Sequence, residues 1–216
     1  TQFASIDRLS FYRILRNKNP SHYMFFLSYK DFAIIGSSPE VMIGLKDGHI
    51  ILRPIAGTRK RGSTYEKDQA YEKEMLSDEK ERAEHLMLID LGRNDLGRVA
   101  KVGSVKVKEM MRVERYSHVM HMVSDIEATL DTKHDMFDLF AATFTAGTMT
   151  GTPKIRAMEL ISDFEGLKRS FYSGAVGYFG FDGNMDSGII IRTAYLDDEK
   201  IIFQASLINI SKYSFH

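Results

Sequence analysis

The chain has 216 residues, 44% of them hydrophobic, and its 29 basic and 29 acidic side chains give a formal net charge of zero. This size and apolar content allow a substantial core, and we expect one domain over residues 1–216. Zero net charge argues against a nucleic-acid partner, and the lack of cysteine excludes a disulfide framework. No apolar run is long enough to span a bilayer. We therefore expect a cytoplasmic protein without a membrane partner.

The first half of the chain predicts a helix followed by two hairpins. The spacing of apolar residues changes from about 3.6 to 2 after Asn19-Pro20, and Asp47-Gly48 is a typical hairpin turn. We predict a helix over 9–16 and strands over 23–29, 32–36, 41–45 and 49–54.

A basic segment follows these strands, from Arg53 to Gly62. It contains a proline, two glycines and several cations, so it predicts a loop that presents backbone N–H groups to an anion. A solvated basic turn has the same composition, and the segment alone does not separate the two explanations.

The second half predicts three helices and a final group of strands. Asp78 with Glu81 resembles a capping box, and Thr152 before Pro153 predicts an N-cap and a first helical residue. We predict helices over 79–93, 136–144 and 153–164, a strand and turn over 102–114, and strands over 172–181, 187–196 and 200–206. This mixture of periods indicates an α+β fold of layered antiparallel sheets with packed helices.

Three motifs in a fixed order carry a resemblance to a known family. They are the segment 53–62, Glu84-His85 leading to Leu91-Gly92-Arg93-Asn94-Asp95, and the segment 146–154. Together they resemble the chorismate-utilising enzymes, and within that family the large subunits of anthranilate synthases. The resemblance covers about residues 19–206 and implies the chorismate-binding fold, incomplete at both ends.

The resemblance also implies that parts of the family's site lie outside this sequence. In the family a long region precedes the matched part, and a segment with a second Mg²⁺-binding glutamate follows the position of Ser206. Here the chain continues with Leu207-Ile208. We therefore expect residues 1–216 alone to form little anthranilate, because Mg²⁺ held by one protein carboxylate binds weakly.

Glu84 is the candidate metal ligand. It lies on the predicted helix among Ala83, Leu86 and Met87, which predicts a partly buried carboxylate that needs a partner. Ordinary surface ion pairs are the alternative explanation, since acidic and basic residues alternate just before it. The resemblance implies that Glu84 binds the Mg²⁺ that grips the ring carboxylate of chorismate.

Two residues are candidates for proton transfer. His121 alternates with Val119 and Val123, a pattern that is also typical of a core histidine, and Glu40 follows Ser38-Pro39 as an ordinary turn carboxylate would. The resemblance implies that His121 is a catalytic histidine. It also implies that Glu40 is the general acid that protonates the departing 4-hydroxyl group.

The remaining candidates are expected to hold an anionic substrate. Thr148 precedes a helix start where backbone N–H groups converge, but the spacing is not that of a Walker loop and argues against an ATPase. Arg192 interrupts an apolar strand, and an internal carboxylate is its alternative partner. The resemblance implies a catalytic role for Thr148, and substrate contacts from Gly57, Thr58, Tyr172, Arg192 and Ser206, of which Tyr172 and Arg192 hold the enolpyruvyl carboxylate.

The resemblance implies a reaction in which chorismate and ammonia, delivered by a glutamine amidotransferase partner, give anthranilate and pyruvate. Ala56 stands where the aminodeoxychorismate branch often has a lysine, which favours anthranilate synthase. The segment 19–24 resembles the family's tryptophan feedback pocket, with Tyr23 and Met24 matching and His22 replacing the usual proline. The alternatives are an aminodeoxychorismate, isochorismate or salicylate synthase, or a non-catalytic chorismate-binding fragment.

Overall fold

The computed structural model describes residues 6–205, which form two antiparallel sheets covered by helices. The helices are α1 (Arg8–Lys18), α2 (Tyr65–Ser77), α3 (Glu79–Gly97), α4 (Met136–Thr143), α5 (Gly147–Thr150) and α6 (Lys154–Glu165). The strands are β1 (Tyr23–Ser28), β2 (Phe32–Ser38), β3 (Val41–Lys46), β4 (His49–Leu52), β5 (Ile55–Lys60), β6 (Lys106–Arg115), β7 (Val119–Thr129), β8 (Ala175–Phe179), β9 (Met185–Ile189), β10 (Thr193–Asp197) and β11 (Ile201–Phe203). The predicted α+β class is confirmed.

The smaller sheet has the strand order β1-β2-β10-β11 and carries α1 on one face. This helix begins at Asp7, whose carboxylate accepts a hydrogen bond from the Ser10 N–H at 2.8 Å. Its apolar residues pack on the buried side of the sheet, and the residues in this contact are Phe11, Tyr12, Leu15, Ala33, Ile35, Ala194 and Leu196. This burial stabilises a helix that is too short to persist alone.

The larger sheet has the order β5-β7-β4-β3-β9-β8, and β6 pairs with the other edge of β7. β4 and β5 pair with successive halves of β7, with Ile50 opposite Ala128 and Ile55 opposite Val123. The chain bends at Pro54 between the two strands. This bent edge places Thr58 directly opposite His121.

Helix α3 lies across the larger sheet and closes the main core. The approach is close at Gly92, where a Cβ would lie 2.6 Å from Leu52 and 2.8 Å from Ile126. The helix starts at Asp78, as predicted, and runs beyond Arg93 to Gly97. None of the helices within residues 6–205 is long and apolar enough to cross a membrane.

The predicted basic loop is wrong, because most of that segment forms β5. Arg59 forms ion pairs with carboxylates at the end of α2 and the start of α3, and Arg61 makes two hydrogen bonds with Asp68, at 2.9 and 3.0 Å. The sequence did not predict α2, since only Asp68 and Met75 of that helix are buried and no apolar stripe marks it. The arginines of the segment are therefore paired with carboxylates of the fold, whereas the Lys60 ammonium lies 5.8 Å from the Tyr71 ring centroid.

The chain passes between the two sheets twice within the described residues, once at Ser38–Glu40 and once between β9 and β10. The predicted strand over 187–196 is therefore wrong: it is two strands, and Arg192 lies between them with a φ of 50°. The two crossings are hydrogen-bonded to each other, because Ile189 N–H donates to the Glu40 carbonyl and Ser37 N–H to the Arg192 carbonyl. The apolar run did not reveal the change of sheet, since Ile190 stays buried between Phe25 and Ile34.

The start of α6 also differs from the prediction. Pro153 occupies the N-cap position instead of Thr152, and no side chain makes a capping hydrogen bond there. The predicted end is confirmed by Gly166, whose φ of 61° suits a left-handed C-cap.

A buried ion pair ties α6 to α3. The Lys154 ammonium donates to Asp95 at 2.6 Å and to the Thr143 carbonyl at 2.7 Å, and both charged side chains are 12% exposed. Removing the carboxylate would leave a buried ammonium group without its counter-charge. We expect Asp95→Ala to lower the free energy of unfolding by about 3–5 kcal/mol, measured by urea denaturation.

The control for this prediction is Asp90→Ala on the same helix. Asp90 pairs with Arg93 at 3.0 Å, but both side chains are more than half exposed. Such a surface pair contributes about 1 kcal/mol or less. Equal losses in the two variants would contradict the importance assigned to the buried pair.

Candidate active site

Glu40 lies at the first crossing between the sheets and is 8% exposed. Burial raises the pKa of its carboxyl from an ordinary 4.5 to about 7, while Thr148 and the nearby Arg192 lower it in part. A carboxyl group with this pKa is about half protonated at neutral pH. Glu40 can therefore donate a proton and is shielded from water, and a general acid requires both properties.

Thr148 connects Glu40 to a larger cavity. It lines a small cavity of about 40 Å³ with Glu40, and an open cavity of about 520 Å³ with Tyr172 and Arg192. Its buried hydroxyl lies near the Glu40 carboxyl but has no partner with hydrogen-bond geometry within residues 6–205. The contact between this hydroxyl and the Glu40 carboxyl is therefore weak.

Arg192 acts electrostatically on both candidate proton-transfer groups. Its charge lowers the pKa of both Glu40 and His121. The guanidinium thus favours the ionised carboxyl and the neutral imidazole. Tyr172 shares the larger cavity, and the Arg169 guanidinium lies 5.7 Å from its ring centroid. The structure therefore brings Glu40, Thr148, Tyr172 and Arg192 together.

His121 is buried in β7 and contacts β5. Its Nδ1 lies 2.9 Å from Thr58 Oγ1. Burial is the main cause that lowers the pKa of this imidazole, Arg192 adds to it, and the Gly57 carbonyl and Glu114 oppose it. The imidazole is consequently neutral at pH 7 and suited to accept a proton.

Gly57 allows β5 to present these groups. It has a φ of 59° and lies at a bulge between Ala56 and Thr58. A left-handed residue at a bulge favours glycine, and the bulge turns the following side chain toward its partner strand. Gly57, Thr58 and His121 thus form one unit.

Glu84 is more exposed than predicted. Its side chain is 51% exposed, and Lys80 Nζ lies 3.6 Å from it in a surface pair of the kind that the sequence left open. Three residues that line the small cavity follow at helical spacing on the same face of α3: Leu88, Leu91 and Asp95. Glu84 therefore lies one turn before the part of α3 that borders Glu40.

A metal site is only partly built from this carboxylate. Within residues 6–205 no group of three histidine, cysteine or acidic side chains is placed to hold a metal ion. Glu84 nevertheless offers carboxylate oxygens in partial contact with water. Mg²⁺ is commonly held by one or two carboxylates with waters and substrate oxygens, so this donor fits the ion.

Sequence reasoning missed the residue beside Glu84. His85 is fully buried and its Nε2 lies 2.7 Å from Ser124 Oγ, which also accepts the Met111 N–H at 2.9 Å. Burial lowers the pKa of His85 to about 4, so the ring is neutral. This contact fixes α3 against β7 beside Glu84. The signal was the apolar run around Glu84, in which His85 takes the inward position.

The predicted feedback residues lie at the start of β1. The Tyr23 hydroxyl donates to Asp186 at 2.8 Å, and its ring covers Gly188, where a Cβ would lie 2.5 Å from the ring. The His22 ring contacts Tyr116, and Met24 pairs with Ser37. Tyr23 therefore joins the two sheets. Ser206, another predicted substrate contact, lies outside the described residues.

Comparison with known proteins shows the family to which the chain belongs. The sequence matches the family described as chorismate binding enzyme over residues 1–206, and the chain belongs to that family. Anthranilate synthase component 1 of Aquifex aeolicus is 57% identical over 194 residues, which are 90% of this chain and 39% of that protein. The predictions of family and fold are confirmed.

Two solved structures share the fold. Anthranilate synthase component I from Streptococcus pneumoniae has a TM-score of 0.83 at 41% identity, covering 94% of this chain and 46% of that one. A putative 2,3-dihydroxybenzoate-specific isochorismate synthase from Bacillus anthracis has a TM-score of 0.78 at 23% identity, covering 92% and 54%, and shows the fold alone. The chain spans about two-fifths of the length of the curated relatives it matches.

Proposed function

We propose that this chain is the chorismate-binding part of an anthranilate synthase component 1, which converts chorismate and ammonia to anthranilate and pyruvate. One observation carries the proposal: Thr148 lines both the small cavity of the buried Glu40 and the larger cavity of Tyr172 and Arg192, and Arg192 acts electrostatically on both Glu40 and His121. The reaction needs a proton donor, a proton acceptor and a cation for a carboxylate. The identity to component 1 relatives supports the choice of product.

Substrate binding is assigned to the larger cavity. The Arg192 guanidinium and the Thr148 hydroxyl offer a cation and a donor to a carboxylate, beside Tyr172. Gly57 and Thr58 would contact the substrate from the His121 side. Thr148 is also assigned a catalytic role. Its hydroxyl would donate a hydrogen bond to the Glu40 carboxylate once Glu40 has lost its proton.

Two proton transfers are assigned to Glu40 and His121. While ammonia adds to the ring, Glu40 gives its proton to the 4-hydroxyl, which leaves as water. In the second step neutral His121 accepts the proton from the ring carbon that carries the new amino group as the enolpyruvyl C–O bond breaks, which leaves an aromatic ring. The departing enolpyruvate takes up a proton at its CH2 carbon and becomes pyruvate. Both groups are in the required form at neutral pH.

Glu84 is the residue proposed to hold Mg²⁺. When bound, this ion would offset the negative charge of a substrate carboxylate. The one carboxylate fits the donor preference of the ion, and substrate and water oxygens complete such sites.

The remaining proposals concern partners and regulation. We assign ammonia delivery to a glutamine amidotransferase subunit, in line with the component 1 name of the relatives. Feedback by tryptophan through His22, Tyr23 and Met24, a cytoplasmic location, and a single domain over residues 1–216 stay predictions. Ala56, half-buried in β5, provides no amine for a covalent intermediate, which disfavours the aminodeoxychorismate alternative.

Product analysis tests the proposed function. The full-length protein, supplied with chorismate, ammonia and Mg²⁺, is expected to form anthranilate and pyruvate in equal amounts, as seen by mass spectrometry. Isochorismate, salicylate or aminodeoxychorismate as the product would replace the proposal with one of the alternatives. Chorismate binding without turnover would indicate a non-catalytic module.

Glu84→Gln tests the metal assignment. We expect the Mg²⁺ concentration for half-maximal rate to rise by about tenfold or more, because even residues that only support metal ligands typically contribute that much. Calorimetric Mg²⁺ titration in the presence of chorismate should show the same weakening. Glu79→Gln, an exposed change in the same helix, is the control. Unchanged Mg²⁺ dependence in Glu84→Gln would return this residue to the surface pair with Lys80.

A further inference from the structure

Tyr116 is fixed in place at the turn between β6 and β7. Its N–H donates to the Val119 carbonyl at 2.8 Å, and its own carbonyl accepts a hydrogen bond from Arg61 at 2.7 Å. Its hydroxyl donates to Glu114 at 2.8 Å. With both its backbone and its hydroxyl held, the half-buried ring has little freedom to move.

The acceptor of that hydroxyl is itself held by two arginines. Glu114 pairs with Arg53 and with Arg112, and both arginines also pair with Asp125. These four side chains form a closed network with each member about one-quarter exposed. Several paired charges in one network hold their geometry better than a single surface pair does. The network therefore anchors the Tyr116 hydroxyl.

The Tyr116 ring contacts two imidazoles. Its centroid is 5.5 Å from that of His121 at an interplanar angle of 62°, and 5.9 Å from that of His22 at 81°. Both contacts have the edge-to-face geometry that aromatic rings prefer. Glu114, which accepts the hydrogen bond from the Tyr116 hydroxyl, is opposite His121 in the β6–β7 pair. The Tyr116 side chain therefore extends from the turn toward the residue that faces His121.

This contact completes the positioning of His121. Thr58 Oγ1 lies 2.9 Å from one ring nitrogen and the Gly57 carbonyl also interacts with the ring, so packing must limit the remaining rotation of the imidazole about its Cβ–Cγ bond. The edge of a rigid aromatic ring restricts this rotation. Proton transfer depends steeply on the placement of the acceptor.

We propose that Tyr116 is a positioning residue for His121, and that His22, which also contacts this ring, helps to set the position of Tyr116. The inference rests on the proposed function for its effect on turnover, but not for its effect on the resting structure. Because His22 contacts Tyr116 and Tyr116 contacts His121, a displacement of the segment that contains His22 would reach His121 through one aromatic ring. Thr58, Glu114 and Arg192 also act on His121, and the variants below leave all three unchanged.

The test compares variants of the full-length protein by kinetics and by NMR of ¹³C-histidine. Tyr116→Leu removes the ring, and Tyr116→Phe keeps it without the hydroxyl. Tyr12→Leu is the matched control, since it removes another half-buried tyrosine, one stacked on Phe26 in the smaller sheet. The His121 resonance is assigned from the spectrum of His121→Gln.

Tyr116→Leu is expected to shift the His121 resonance and to lower kcat by about ten- to a hundredfold, because misplacement of a reacting group by about 1 Å has an effect of this size. KM for chorismate should stay within about twofold, since the substrate contacts are kept. Tyr116→Phe keeps the ring but loses the hydrogen bond to Glu114, so both effects should be smaller than in Tyr116→Leu. Tyr12→Leu should behave like wild type in both measurements. Wild-type kcat and an unmoved resonance in Tyr116→Leu would overturn the inference, as would a Phe variant as impaired as the Leu variant.

His22→Ala provides the second, independent measurement if Tyr116→Leu does not fold. It should shift the His121 resonance in the same direction and lower kcat by a smaller factor. An unmoved resonance in His22→Ala would overturn the role of His22. A wild-type protein that forms no anthranilate would overturn the proposed function instead, while the resonance shifts would still test the positioning.

Discussion

Glu40→Gln is expected to lower the rate of anthranilate formation by about 10²–10⁴-fold, since a positioned general acid contributes that much. The amide is nearly the same size as the carboxyl but has no proton to give to the 4-hydroxyl. Steady-state assays with ammonia and Mg²⁺ would measure the loss. A variant with more than a tenth of the wild-type rate would remove Glu40 from the mechanism.

The same substitution should stabilise the fold at higher pH. The folded-state pKa of Glu40, about 7, exceeds the ordinary value of 4.5, so the folded chain keeps a proton that the unfolded chain loses. Wild-type stability therefore falls as the pH rises from 4.5 to 7, and the shift corresponds to about 3 kcal/mol above that window. Glu40→Gln lacks this penalty. Its advantage should be absent below pH 4.5 and greatest above pH 7 in urea denaturation.

Asp68→Asn is the matched control with the opposite sign. Hydrogen bonds from Arg61 and the Gly62 N–H lower the pKa of Asp68 to about 2. Its ionised form stabilises the folded chain above the ordinary value of 3.8, and that stability is lost as the pH falls through about 2. The asparagine variant should thus be less stable than wild type at pH 7. A similar gain in both variants would show that the Glu40 effect is not electrostatic.

His121→Ala is expected to separate the two halves of the reaction. Its neutral imidazole is assigned only to the elimination, so amination should be partly retained and an aminated intermediate that still carries the enolpyruvyl group should accumulate. The elimination itself should slow by about 10²–10⁴-fold. Mass spectrometry of quenched reactions would follow both species.

His118→Ala is the control for this prediction. His118 lies three residues away in the same hairpin, is exposed, and has its Nδ1 2.8 Å from the neighbouring Ser117 hydroxyl. It should leave both steps unchanged. Equal loss of amination and elimination in His121→Ala would show that the residue serves binding or folding instead of one proton transfer.

The sequence predicted the elements whose apolar spacing is continuous. α1, the first two hairpins and α4 lie within a few residues of their predicted limits, because each buries a regular face. α2 has no such face and was missed. β5 was predicted as a loop because its glycine and cations are typical of turns, whereas pairing with β7 and carboxylates from α2 favour a strand.

The candidate site divides in the same way. Glu40, His121 and Arg192 were predicted through motifs, and in the structure Arg192 acts electrostatically on both of the others. Tyr116 and Ser124 were not found, because each acts through a partner that only the fold brings near. A signal for Tyr116 was present, since it follows Arg112 and Glu114 at a spacing of two residues, just after the end of β6. The spacing alone does not predict that the Tyr116 ring contacts His121.

The two crossings between the sheets have a consequence for how this protein tolerates change. Glu40 lies at one crossing and Arg192 at the other, and two hydrogen bonds hold the crossings side by side. The distance between the Glu40 carboxyl and the Arg192 guanidinium therefore depends on the relative position of the two sheets. Substitutions deep in either sheet, far from any substrate atom, change activity whenever they let the sheets slide, even if each sheet keeps its own strands intact.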